Sequence, residues 1–114
     1  MEALTWFAPI LAGKLGAWKA FTEELTGPRQ AEHVASRRRM GMIREVASLM
    51  QMPQGDFVCL FHEAENLDRA FRILAGSDDP YDAWFRGQLT ALHGISPEAL
   101  QRPPATVYLD YHQR

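Results

Sequence analysis

The chain has 114 residues, 46% hydrophobic and 23% charged, with 12 basic against 14 acidic side chains and a formal net charge of -2. Domains of roughly 100–150 residues are the commonest size, and six Phe, three Trp and three Tyr offer bulky groups for one core. The composition excludes a disordered chain and any general attraction to nucleic acid or an anionic membrane, and with Cys59 as the single cysteine it excludes a disulfide scaffold.

Residues 3–9 (ALTWFAP) predict a first strand stopped by Pro9. From Lys14 to Leu25, Leu15, Trp18, Phe21 and Leu25 recur at helical spacing opposite Lys19, Glu23 and Glu24. Thr26-Gly27-Pro28 breaks that helix, and Pro28 starts a second one that runs to Met40 and ends at Gly41. Residues 42–52 (MIREVASLMQM) predict a strand. Ile43, Glu45, Ala47 and Leu49 share one face, and Met42, Arg44, Val46 and Met50 share the other. A turn at Pro53-Gln54-Gly55-Asp56 and a strand from Phe57 to His62 or Glu63 complete a hairpin over 42–63. Asn66 caps a helix running to about Ala75, with Leu67, Ala70, Phe71 and Leu74 on one face. Asp79 and Pro80 open another helix that ends at His93-Gly94, and a last strand spans Ala105 to about Tyr111.

The longest apolar runs, such as Phe57-Val58-Cys59-Leu60-Phe61, fall far short of the about 20 residues that cross a bilayer. The opening MEALTWFAPILAGK puts Lys14 after the apolar part, the reverse of a signal peptide. With one unpaired cysteine, a cytoplasmic protein is expected.

The order strand, helix pair, strand, strand, helix pair, strand predicts an α+β, ferredoxin-like βαββαβ domain over residues 1–114, a four-stranded antiparallel sheet with helices on one face. Helices cover one face only, yet the strands are apolar on both, and the simplest cover for the second face is another copy of the chain. A homodimer is therefore expected.

Such a chain resembles the dimeric α/β-barrel superfamily. Several strings are similar to those of an uncharacterised bacterial family within it, related to antibiotic-biosynthesis-type monooxygenases. They are Pro9, Gly13, Lys14 and Trp18; Gly27-Pro28-Arg29; Ser36-Arg37-Arg38-Arg39 with Gly41; Pro53, Gly55, Asp56 and Phe57; Asp79-Pro80-Tyr81-Asp82 with Trp84-Phe85; and His93-Gly94. The resemblance extends to about Ile95 and implies a cavity between helices and sheet for a small apolar or aromatic molecule. It brings with it a choice of chemistries, cofactor-independent oxygenation and cyclisation among them, and fold does not select one. No catalytic set carries over residue by residue.

The candidates for general acid–base chemistry are His62, His93 and Glu45. His62 is either an acid–base group pointing into the barrel or an exposed strand-end side chain. His93 is either a helix-terminal cap or a base at the mouth of the pocket. Glu45, on an apolar face, lies near water at the strand end, pairs with an Arg of the 37–39 run, or is a buried carboxyl of raised pKa; the ion pair is the leading expectation. Trp84, Tyr81, Tyr108 and Trp6 are candidate walls of the pocket, or filler for the core, and Arg38 a candidate donor to an acidic group of a ligand. Arg37, Arg38 and Arg39 point about 100° apart on a helix and form no flat basic face, so no nucleic-acid partner is expected.

The four histidines show no metal-ligand spacing, and neither a metal nor a cofactor is expected. Together these features predict a dimeric, cofactor-independent monooxygenase-like or cyclase-like enzyme. The alternatives are a non-catalytic ligand-binding or accessory homodimer and, more remotely, a haem-binding protein.

Overall fold

The computed structural model describes residues 1–113. Its elements are β1 (Glu2–Pro9), α1 (Leu15–Thr26), α2 (Gln30–Met40), β2 (Met42–Met52), β3 (Gly55–Ala64), α3 (Leu67–Gly76) and α4 (Pro80–His93), followed by a short 3-10 turn at Pro97–Gln101. The strands form one antiparallel sheet in the order β1-β3-β2, so β3 is central and both edges are open. The fold is α+β and compatible with a ferredoxin-like arrangement.

Strand alternation sorts side chains into rows. Leu4, His62 and Glu45 share one row across the sheet, Trp6, Leu60 and Ala47 the next, and Ala8, Val58 and Leu49 a third. These rows face the helices, where Leu4, Ala8 and Val58 are buried. The intervening rows, Thr5 with Phe61 and Val46 and Phe7 with Cys59 and Ser48, face the uncovered side. Phe7 is 63% exposed there.

Most helix ends fall where the sequence predicts, but α2 begins at Gln30, not at Pro28, which lies in the turn after α1. The Asn66 side chain accepts from Arg69 N at 2.9 Å, and Asp79 Oδ1 accepts from Tyr81 N at 2.9 Å. Gly41 and Gly94 close α2 and α4 at φ of 74° and 70°, a left-handed conformation that a side chain resists. The apolar face of α3 is fully buried at Leu67, Ala70, Phe71 and Leu74. By contrast, α2 has no apolar stripe, and its buried residues are Ser36, Arg37 and Met40.

Two further expectations fail. The strand over Ala105–Tyr111 does not form: residues 109–113 have no regular structure, 105–108 only a bend, and Tyr108, Leu109 and Tyr111 are exposed. Pro103 and Pro104 cannot donate to a ladder. The preceding 3-10 turn, capped by Ser96 and anchored by buried Leu100 against α3, takes up chain that would otherwise return alongside β1. The sheet therefore has three strands, not four. Second, the β2–β3 register shifts between Met42 and Arg44. The shift puts Met42, not Ile43, on the helix-covered face with Glu45, Ala47 and Leu49, and leaves Ile43 57% exposed. Among the described residues no helix is long and apolar enough to cross a membrane.

Phe71→Ala is expected to cost about 3–5 kcal/mol in urea unfolding, and Tyr108→Ala less than about 0.5 kcal/mol, because Tyr108 is 99% exposed. Equal losses at the two positions would show that the tail packs as a strand after all.

Candidate functional site

A cavity of about 320 Å³ lies between the sheet and helices α1 and α4. Its apolar walls include Trp6 and Leu60 from the sheet, Trp18 and Phe21 from α1, and Phe85 and Leu89 from α4. The volume falls at the lower end of the roughly 300–1,000 Å³ usual for small-molecule sites. Three titratable groups line it: His33, Glu45 and His93.

Glu45 comes from the row it shares with Leu4 and His62, on the edge strand β2, and meets α2. The Arg37 Nε–H donates to both its oxygens at 3.1 Å, and His33 Nε2 lies 2.7 Å from Oε1. Burial by itself would raise the Glu45 carboxyl, but the Arg37 guanidinium and the hydrogen bonds from His33 and Arg37 outweigh it and hold the carboxyl well below the usual carboxylate range. A carboxylate only accepts, so His33 Nε2 carries a proton, and the other ring nitrogen meets the Tyr81 hydroxyl at 2.6 Å. Burial pushes the Tyr81 phenol up, so it stays neutral. The result is a chain Tyr81–His33–Glu45–Arg37 in which every partner is a named side chain.

The same guanidinium continues the network away from the cavity. Arg37 Nη1 donates to Ser36 Oγ at 3.0 Å, and Ser36 Oγ donates to Asp82 Oδ1 at 2.5 Å. Asp82, fully buried, also accepts from Ser77 Oγ at 2.6 Å and Arg39 Nη2 at 3.1 Å. Burial opposes ionisation of Asp82, yet these three donors hold it below its ordinary value. Arg37 stacks on Phe85, its guanidinium carbon 4.3 Å from the ring centroid.

His93, the last residue of α4, lies beside the end of β1, with Nδ1 2.7 Å from the Pro9 carbonyl oxygen. A carbonyl only accepts, so Nδ1 carries the proton. Burial lowers His93 despite that bond, so the ring is neutral near pH 7 and Nε2 keeps a free lone pair.

The structure brings Glu45, His93 and Trp6 together in the cavity wall. His62 lies on the helix-covered face but lines a separate, smaller chamber of about 50 Å³. Tyr81 is buried behind His33 instead of forming the wall, and Phe85 takes that place. Trp84 packs against Phe21 and Tyr81 with the Arg29 guanidinium 4.0 Å above its ring. Arg38 faces an open groove with Arg44 and Ile43. Tyr108 projects from the tail and does not line the cavity.

The leading expectation for Glu45, a pair with the 37–39 run, holds through Arg37. His33 was not a candidate. A signal was present: His33 and Arg37 stand one turn apart on a helix whose buried side has no apolar stripe, opposite a strand bearing Glu45. No group of three or more His, Cys, Asp or Glu side chains able to hold a metal ion occurs among the described residues. Among the described residues, the one histidine nitrogen lining the cavity without a partner is His93 Nε2, and a cofactor needing a histidine ligand there would be held by it. Comparison with protein-family models, with curated proteins and with solved structures finds no match for this chain.

Two results test the electrostatics. Arg37→Met, which leaves the Glu45 carboxylate without its cation, is expected to cost about 3–5 kcal/mol, whereas the same change at exposed Arg38 should cost about 0.5 kcal/mol or less. The pH dependence follows from the shifts. His62 and His93 are held below their ordinary 6.5, so the unfolded chain binds more protons below that pH and stability falls as the pH drops through it. Glu45 is held below its ordinary 4.5, so its contribution is present above that pH and is lost on further acidification. Denaturant melts between pH 8 and pH 3 should show both limbs, with His62→Gln flattening the first and Glu45→Gln the second. Limbs unchanged by either substitution would contradict the assignment.

Proposed function

We propose that this protein is a homodimer that binds a small apolar or aromatic molecule in the cavity between helices and sheet and acts on it without a cofactor, by general acid–base chemistry. The observation that carries this reading is the cavity itself: about 320 Å³, walled by aromatic and aliphatic side chains, with an uncommitted imidazole nitrogen at His93. His93 Nε2 is the base, because both nitrogens of His33 are already engaged by Glu45 and Tyr81. His33 and Glu45, held in place by Tyr81 and Arg37, act as a fixed polar end of the cavity that orients the ligand.

The full engagement of Glu45 and His33 favours a second reading, a ligand-binding dimer with no chemical step. His93 is where the two part. Support for the dimer is the uncovered sheet face, where Phe7, Val46 and Phe61 are aligned without a helix above them. Residence in the cytoplasm fits the lone Cys59.

Benzoylacetone, an aromatic 1,3-diketone, tests binding and chemistry together. Saturable quenching of Trp6 and Trp18 fluorescence is expected, and Ala47→Phe, which fills the cavity, should abolish it. In deuterated water the bound diketone should exchange its methylene protons faster than free in solution, and His93→Gln should slow that by about 10²-fold or more. Binding with exchange unaffected by His93→Gln leaves the non-catalytic reading; no saturable binding overturns both. For the dimer, gel filtration at twice the chain mass is expected, with Phe7→Glu shifting it to the monomer. Elution of the unsubstituted protein at monomer size would refute it.

A further inference from the structure

The smaller chamber, about 50 Å³, lies beside the main cavity and shares with it the walls Trp6, Glu45, Leu60, Phe85 and Leu89. It contains three buried polar atoms with no hydrogen-bond partner: Trp6 Nε1 and both ring nitrogens of His62. The His62 side chain is 7% exposed, stacks 6.2 Å from the Trp6 ring and meets Phe71 edge-on. Each orphaned buried donor or acceptor forfeits the hydrogen bond it makes with water in the unfolded chain, so three in one small space demand a partner. A fourth observation points the same way. His62 Nδ1 lies 3.8 Å from Glu45 Oε2, too far for a direct hydrogen bond, so the carboxylate leaves that nitrogen unpaired. The space suffices, because an ordered water needs only about 10–15 Å³ of such volume.

We propose that this chamber seats one neutral oxygen atom, from an ordered water or from the hydroxyl of a molecule in the main cavity, held between the Trp6 indole N–H, the His62 ring and the Glu45 carboxylate. Trp6 can only donate and the carboxylate can only accept, so the oxygen accepts from the indole and gives a proton to Oε2. A water has a second proton for the unprotonated nitrogen of His62, whereas a hydroxyl has none and takes the His62 N–H instead. Either way the oxygen joins His62 to the Tyr81–His33–Glu45 chain. His62 then acts as a positioning residue at the far end of the network.

The test is nuclear magnetic resonance on the full chain labelled with nitrogen-15, the Trp6 indole signal being assigned by its loss in Trp6→Phe. Without ligand, the Trp6 indole proton is expected to show a direct cross-peak to a long-lived water, and the His62 ring shifts a single fixed tautomer. His62→Leu should weaken the water cross-peak severalfold; if that variant does not fold, the tautomer in the unsubstituted protein serves as the second readout. With 2-naphthol at saturation, replacement of the water cross-peak by one to the naphthol identifies a ligand hydroxyl, and its persistence identifies a resident water; both support the seat. A Trp6 indole proton with contact to neither, together with a His62 ring exchanging between tautomers, would overturn it. The ligand-free arm does not depend on the proposed function, so failure of 2-naphthol to bind leaves the water seat standing and counts only against the cavity's role.

Discussion

The buried guanidinium of Arg37 is the point on which the rest of the structure depends. A cation taken out of water is tolerated only when its charge and its N–H groups are matched nearby. Arg37 meets that demand with Glu45 on β2, Ser36 on its own helix and the Phe85 ring on α4. Three elements are thereby held in one geometry. Because α2 has no apolar stripe, this polar contact does the work that hydrophobic burial does for α3. Asp82 extends the same logic: fully buried and ionised, it is matched by Ser36, Ser77 and Arg39, and so ties α2 to the start of α4.

A consequence is the cavity. Where α2 approaches the sheet through polar side chains, the space beside it is walled by α1 and α4, whose aromatic groups reach the sheet without filling it. Phe21 packs against Phe85 at a centroid separation of 5.5 Å and against Trp84 at 5.6 Å, which backs the aromatic part of the wall. His33 and Glu45, the middle of the polar chain, stand at one part of this wall and His93 at another.

The sheet has two unlike faces and two open edges. Its helix-covered face carries the row of Leu4, His62 and Glu45, and its other face carries Phe7, Val46 and Phe61. The C-terminal segment lies beside Met1–Leu4 and the start of α3 without joining the ladder. Open edges and an apolar face are features that proteins ordinarily cover or blunt.

Local patterns made most of the secondary structure readable. The spacing of Leu67, Ala70, Phe71 and Leu74, the Asp79-Pro80 opening of α4 and the glycines at 41 and 94 each act within a few residues, so a single chain states them directly. So does the sharing of one strand face by Glu45, Ala47 and Leu49. What local pattern could not state was which distant group each polar side chain meets. That His33 lies between Tyr81, 48 positions away, and Glu45, and that His62 ends in a chamber apart from His93, depends on how α2 and α4 dock onto the sheet. The register shift at Met42–Arg44 and the unformed fourth strand belong to the same class, because pairing is a contest among long-range partners that alternation alone does not resolve. The sequence by itself determined the three strands, the four helices and their order; only the tertiary structure decided whether a fourth strand forms and which charges are matched, because pairing a strand or a buried charge requires groups that the chain keeps far apart until it folds.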